Sequence, residues 1–246
     1  LSPHRLVIVF ARAPQDERLA KPLVKRQRRH VEELHRALLE RALAAAAVDA
    51  DVRLVTTGPL PALRRLALAH VAPHRLQLAA QAGTTFSERL ERAMQAAFSD
   101  GYRHVVVIGG DAPNISRTHV EAAFAALDAE ADAVLGPARD GGYYLLALSS
   151  FTLAPFRNVT LPTANAFAQT RAALAKAGLR VAALAPLDDV DDARALPSLA
   201  RSPVAAVARA ARALIGSVTF ALDRTDAPRA PALPRLHFSR GPPVRI

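Results

Sequence analysis

The stretch "VVVIGGDAPNI", residues 105–115, decides how this chain is read. Four β-branched residues run into Gly109, Gly110 and Asp111, with a proline two positions further on. The apolar run has the length and composition of a buried strand. Gly-Gly-Asp-Ala-Pro is poor material for continuing a strand or starting a helix. A carboxylate is costly to bury, so the question is why a core strand should end by presenting one on a glycine hinge.

Working outward, apolar runs of strand length alternate with segments of helical period. "RLVIVFA" (5–11), "DVRLVTT" (51–57), "RLQLAA" (75–80) and "HVVVIGG" (104–110) read as strands, followed by "DAVLGP" (132–137), "GYYLLALS" (142–149) and "LRVAALA" (179–185). Between them the spacing predicts helices over 31–48, 60–69, 84–98, 119–127 and 163–177. Gly178 is placed to close the last of these. This order implies an α/β fold with a doubly wound, mostly parallel sheet and helices on both faces. The strand 104–110 is the most continuously apolar and belongs near the centre. Ligands of such sheets bind beyond the carboxyl ends of the strands, and Asp111 stands at one.

The chain of 246 residues divides into a domain over 1–200 and a C-terminal part over 201–246. The latter holds one more helix within 202–216 and, from Ser217, a proline- and arginine-rich tail without period. With 51% hydrophobic residues a large core is available. No run of about 18 uncharged apolar residues is present, so no membrane span is expected. The start "LSPHRLVIVFARAP" reads as a strand and not as a signal peptide, which points to the cytoplasm. Zero cysteines exclude disulfides and thiolate metal sites. A net charge of +10 would suit nucleic acid. The arginines are spread over the whole chain and aromatics are only 5%, so nucleic acid is not the expected partner.

Four clusters at strand ends carry candidate chemistry. The loop 11–29 holds Arg12, Arg18, Lys21, Lys25, Arg26, Arg28 and Arg29, a basic set suited to phosphates, though such runs are also ordinary solvated surface. Asp111 on Gly109-Gly110 can hold a magnesium ion that also binds a nucleotide's phosphates, or can be a turn residue; Ser116 is the better N-cap for the helix that follows. Asp140-Gly141-Gly142, ahead of Tyr143 and Tyr144, is either a plain hairpin turn or a surface brought close to a ligand. In "LDDVDDARAL" (187–196) four aspartates repel one another unless a cation or arginines neutralise them. Asp191 or Asp192 can cap a helix through Leu199, and Asp189 is then free to be a second metal ligand.

With these segments in hand, the sequence resembles a bacterial family of nucleotide-diphospho-sugar-transferase-like proteins, described as glycosyltransferases of the arsenosugar-biosynthesis type and formerly as a domain of unknown function. The family's Phe-Ala-Lys-Ala-Pro is here "FARAP" (10–14), its Gly-Glu-Arg-Met is "FSERL" (86–90), and its Gly-Thr-Asp-Cys-Pro is "GGDAP" (109–113). "GPARDGGYYLL" (136–146) is the most specific match, and "DVDDARAL" (189–196) corresponds to the closing acidic motif. The resemblance spans roughly residues 5–200. It departs at "ERLAKPL" (17–23), where the family has Gly-Arg-x-Lys-Thr-Arg-Leu: Arg18 and, with a one-residue shift, Lys21 remain, but the clamping arginine does not. "LPT" (161–163) replaces Trp-Ser-Thr, and Ala193-Arg194-Ala195 replaces Pro-Glu-Asp.

The resemblance implies a Rossmann-like GT-A fold, a three-layer α/β/α sandwich related to molybdenum-cofactor and phospholactate guanylyltransferases. It implies a metal-dependent transferase using Mg²⁺ or Mn²⁺, with transfer of a glycosyl group from a sugar nucleotide to a small acceptor. Asp111, with Asp189 or Asp191, would hold the metal. Ala11, Arg12, Ala13, Arg18, Lys21, Arg89, Gly109 and Gly110 would hold the nucleotide and its phosphates. Gly141, Gly142 and Tyr143 would line the acceptor side, with Asp140 as the catalytic base. Two alternatives stand beside this: nucleotidyl transfer from an NTP, and a non-catalytic nucleotide-binding protein in which the drifted 17–23 loop no longer supports turnover.

Overall fold

A computed structural model describes residues 5–16, 28–157, 159–187, 196–202 and 204–225. Seven strands form one sheet: β1 (Arg5–Ala11), β2 (Asp51–Thr56), β3 (Leu76–Ala80), β4 (His104–Gly109), β5 (Ala133–Pro137), β6 (Tyr143–Leu148) and β7 (Val181–Ala183). Their order is β3-β2-β1-β4-β6-β5-β7. Every neighbouring pair is parallel except the two that β6 makes with β4 and β5. The helices are α1 (Arg28–Ala46), α2 (Leu60–Ala67), α3 (Phe86–Ser99), α4 (Arg117–Asp128), α5 (Ala166–Lys176), α6 (Leu196–Leu199) and α7 (Ala205–Thr225).

The central strands β1, β4 and β6 are apolar along most of their length because both faces are covered. Alternate β1 residues serve opposite layers. Val7, Val9 and Ala11 pack with Leu39 and Leu43 of α1 and Phe124 of α4. Leu6, Ile8 and Phe10 pack with Leu90 and Met94 of α3 and Leu174 of α5. A third cluster lies on the outer side of α1, where Val31, Leu34 and Leu38 meet Val207, Ala211 and Leu214 of α7. Helix α1 is therefore apolar on two sides, facing the sheet on one and α7 on the other.

Local chemistry sets several ends. Thr85 accepts from the Glu88 backbone N–H at 3.1 Å, and the Glu88 carboxylate accepts from the N–H groups of Thr84 and Thr85, so α3 opens on a capping box. Ser116 precedes α4 as expected, and its N–H donates to His119 Nδ1 at 3.1 Å. Gly178 follows α5 at φ +79, donating to the Ala175 carbonyl at 3.0 Å while Leu179 N–H reaches the Leu174 carbonyl. That is the left-handed termination glycine favours.

One correction concerns the C-terminus. Helix α7 runs to Thr225, well into the stretch that the sequence reads as aperiodic from Ser217. Its first half packs on α1, and a helix anchored in this way extends at little cost, without an amphipathic signal of its own. The first proline of the tail comes only at Pro228. In the 187–196 segment, α6 begins at Leu196, and the aspartates proposed to cap it lie outside the described residues. No helix among the described residues is long and apolar enough to cross a membrane.

Candidate functional site

Strands β1 and β4 are parallel neighbours, with Phe10 opposite Gly109, so their carboxyl ends open side by side. Strand order reverses between them, which makes this the switch point where a crevice forms. The two glycines here do different work. A Cβ on Gly110 would lie 2.6 Å from the Ala11 Cβ, so the ends of β1 and β4 close up only because residue 110 has no side chain. A Cβ on Gly109 would lie 2.8 Å from Asp111 Oδ1, the space into which that carboxylate folds back.

The third edge of the crevice is the β5–β6 hairpin. Ala138 N–H donates to the Gly142 carbonyl at 3.0 Å and Gly141 N–H to the Ala138 carbonyl at 3.1 Å. Asp140 Oδ1 accepts from Gly142 N–H at 2.9 Å. Gly141 sits at φ +94, and a Cβ there would overlap the Ala164 carbonyl oxygen at 1.8 Å. Phe167 N–H donates to the Gly141 carbonyl at 3.0 Å, so the start of α5 is sewn onto the turn. Asp140-Gly141-Gly142 is a hairpin turn, and its Asp140 and Gly142 line a pocket.

That pocket encloses about 570 Å³, within the usual range for small-molecule sites. It is lined by Ala11, Arg12, Arg89, Gly109, Gly110, Asp111, Asp140, Gly142 and Tyr143, residues drawn from four separate sequence motifs. Ala13 does not reach it. This residue is wholly buried against Gly58, and its N–H donates to Thr57 Oγ1 at 3.2 Å. Thr57 in turn donates to Asp16 at 2.7 Å. Ala13 thus seats the root of the basic loop, a correction to its reading as a nucleotide contact. Gly141 likewise supports the wall from behind. Arg18, Lys21, Asp189 and Asp191 lie outside the described residues.

Sequence reasoning missed other lining residues. His35 and Leu39 come from α1, Gln81 from the β3–α3 connection, Phe86 from the first position of α3, and Leu161 to Ala164 from the segment before α5. Gln81 ties three strand ends together. Its N–H donates to the Thr56 carbonyl at 2.9 Å, and its side-chain amide to the carbonyls of Ala11 at 3.0 Å and Val55 at 3.4 Å. The strand-end rule could have found Gln81, one residue past β3. No sequence signal marks His35, since its exposure to the pocket depends on how α1 crosses the sheet.

The electrostatics are mixed. Arg12 and Arg89 supply positive charge, Asp111 and Asp140 negative. The Tyr143 hydroxyl, buried near Thr170 but outside hydrogen-bond geometry with it, is held above the ordinary tyrosine range by burial. Burial also pushes Tyr144 up to about 12, and its hydroxyl donates to the Ala185 carbonyl at 3.0 Å. Among the described residues no cluster of three or more histidine or acidic side chains has the spacing of a complete metal site. The described chain before the aspartates 188–192 ends at Leu187. It is pinned to the hairpin by hydrogen bonds to the Pro137 carbonyl and from Arg139 N–H, at 3.0 and 2.9 Å.

The strand order, the antiparallel β6 and a pocket at the β1–β4 switch point define a Rossmann-like α/β protein of the type found in GT-A glycosyltransferases and nucleotidyltransferases. Residues 36–163, just over half of the chain, match the model of a bacterial family described as "Uncharacterized protein conserved in bacteria (DUF2064)", and the chain belongs to that family. A proposed nucleotide-diphospho-sugar transferase of Desulfovibrio desulfuricans G20, solved by crystallography, is 30% identical over 88% of this chain and 98% of its own, with a TM-score of 0.71. Two more distant structures share the fold alone. Glucosyl-3-phosphoglycerate synthase of Mycobacterium tuberculosis is 14% identical, with a TM-score of 0.51 over 93% of this chain and 82% of its own. A cytidylyltransferase of Leptospira borgpetersenii is 12% identical, with a TM-score of 0.51 over 93% of this chain and 99% of its own. No curated protein matches the sequence.

Proposed function

We propose that this protein is a metal-dependent transferase acting on a nucleotide-activated donor, transferring a glycosyl group from a sugar nucleotide to a small acceptor in the cytoplasm. The observation that carries the reading is Asp111: a carboxylate folded over Gly109 at the switch point, in one pocket with Arg12 and Asp140.

The donor set fits a hard divalent cation. Carboxylate oxygens without sulfur or clustered imidazoles suit Mg²⁺ or Mn²⁺, which keep several waters and share phosphate oxygens with a nucleotide. Asp111 would hold the ion together with Asp189 or Asp191, which follow the pinned Leu187 by two and four residues. When bound, such an ion neutralises charge on the leaving diphosphate. The M. tuberculosis synthase of the same fold is described with Mn²⁺ and UDP.

The chain's own residues do the rest. Arg12, with Arg18 and Lys21 of the basic loop, offers donors to phosphate oxygens as negative charge builds on the leaving group. Gln81, by bridging the ends of β1, β2 and β3, fixes the floor on which a nucleotide would lie. Asp140, exposed at the tip of the hairpin and oriented by Gly142 N–H, is positioned to take a proton from an acceptor hydroxyl. The apolar lining from Phe10, Phe86 and Leu90 excludes water.

Nucleotidyl transfer from an NTP uses the same floor and metal and is the second reading, supported by the cytidylyltransferase fold. Differential scanning fluorimetry against nucleotides and sugar nucleotides, with and without Mn²⁺, tests the site. The expected result is metal-dependent stabilisation by a sugar nucleotide, lost in Asp111→Ala. Pyrophosphate release from an NTP would sink the glycosyl-transfer reading in favour of the second. Nucleotide binding without turnover of any donor would mark a protein that kept the fold and lost the phosphate grip at 17–23.

A further inference from the structure

The proposed reaction leaves one charged group in the pocket without employment. Arg89 stands in the first turn of α3 and lines the pocket, and its Nε is buried without a hydrogen-bond partner. Among the described residues no carboxylate pairs with its guanidinium. The acidic residue beside it, Glu88, is already committed. Its carboxylate accepts from Thr84 Oγ1 at 2.6 Å and from Thr84 N–H at 2.7 Å, and it reaches Arg92 at 4.0 Å. A guanidinium Nε–H withdrawn from water without an acceptor is unfavourable. Its planar fork of donors matches a carboxylate or phosphate oxygen pair.

The surroundings say which substrate it would meet. The pocket straddles the edge of the sheet: His35 and Leu39 enter from α1 on one face, Arg89 from α3 on the other. On the α3 side it shares its layer with Tyr143 and Leu161, and Phe86 there meets Phe10 edge to face at 5.6 Å. This is the layer of the hairpin wall assigned above to the acceptor. Aromatic walls beside one guanidinium that no described carboxylate pairs with suit a small molecule with a single anionic group at one end and a hydroxyl at the other.

Resting on the transferase reading, we infer that the acceptor is anionic, a hydroxyl-bearing carboxylate or phosphate ester, and that Arg89 grips its charged end while the hydroxyl faces Asp140. Arg89 is thus a residue of acceptor specificity and not a contact to the nucleotide's phosphates, as its motif alone suggests.

Isothermal titration of the full chain with glycerol, glycerate and glycerol 3-phosphate tests this, each with and without UDP and Mn²⁺. Wild-type protein is expected to bind one or both anions about tenfold or more tightly than glycerol. Glycerate against glycerol 3-phosphate tells carboxylate from phosphate. Arg89→Gln is expected to erase that preference while leaving UDP–Mn²⁺ affinity within about twofold. Arg89→Lys, which keeps the charge but not the fork, is expected to retain part of it and serves if the glutamine variant fails to fold. No preference for anions in the wild type overturns the inference. So does an equal loss of UDP and anion affinity in either variant, which would return Arg89 to the donor. Failure of the wild type to bind any nucleotide would count against the transferase reading instead, and the anion arm is read on the same protein regardless.

Discussion

Gly110→Ala is a direct test of how the site is assembled. The added methyl would sit 2.6 Å from the Ala11 Cβ, 3.7 Å from the Ala11 Cα and 3.8 Å from Leu39 Cδ1. Non-bonded carbons rest about 3.5–4.0 Å apart, so the ends of β1 and β4 would have to part by about 1 Å. They cannot part freely, because Phe10 and Gly109 are held in register one residue earlier. Overpacking of this kind costs about 1–3 kcal/mol. In a urea titration with a slope of about 2 kcal/mol per M, the midpoint falls by about 0.5–1.5 M. Binding is expected to fall more steeply than stability. Arg12 and Asp111 follow the two displaced residues, and a misplacement of about 1 Å in reacting groups can cost about 100-fold. Metal-dependent nucleotide binding, measured beside the unfolding curve, separates the two effects. Gly178→Ala is the control: it meets nothing within 4 Å and is strained only by its φ of +79, so it is expected to lower stability without touching binding. Wild-type stability and binding in Gly110→Ala would refute the claim that Ala11 and Gly110 set the crevice.

Gly141→Ala is expected to be worse than the control, because its Cβ would overlap the Ala164 carbonyl at 1.8 Å on a backbone at φ +94; a loss of about 2–4 kcal/mol in urea unfolding is the predicted outcome. Leu214→Ala, at a wholly buried position of α7 against α1, is expected to cost about 2–5 kcal/mol, and a change under about 0.5 would show that α7 is no part of the folded unit. The Glu88 carboxylate is held down to about 2 from 4.5, chiefly by the Thr84 hydroxyl and then by backbone N–H groups. A group with a depressed folded pKa adds stability above its unfolded pKa and loses it as pH falls toward the folded value. The stability advantage of wild type over Glu88→Gln should therefore shrink between about pH 5 and pH 2, and a pH-independent difference in paired melting curves would contradict the capping role.

Much of the architecture was legible because the sheet is covered on both faces. Burial of both sides of β1 and β4 forces unbroken apolar runs, and such runs are visible without partners. Asp111 was legible for the converse reason, as a charge placed where an apolar strand has to stop. The remaining lining residues are set by distance in space. His35 belongs to a helix whose apolar pattern serves both the sheet and α7, so nothing in its period separates a pocket-facing position from a core one. Leu161 to Ala164 reach the pocket because Gly141 has no side chain to hold them off. That contact joins two segments more than twenty residues apart and has no local signature. The end of α7 was illegible because packing upstream sustains it, not its own pattern.

The Gly-Gly-Asp hinge also shows how far the site depends on a strand outside the segment that defines the family. Residues 36–163 contain Asp111, Asp140 and both glycines, but not β1. In the sheet β1 lies between β2 and β4, and it supplies Ala11 and Arg12 to the pocket. Gly110 is useful only if residue 11 is small and comes close; with β1 absent it would border a gap between β2 and β4. The matched segment thus carries half of a steric complement whose other half is "FARAP". The Ala11 carbonyl also accepts from the Gln81 side-chain amide, so one position joins the hinge, the floor and the basic loop. A side chain at residue 110, or a longer one at residue 11, would push the two strand ends apart and move Arg12 and Asp111 with them.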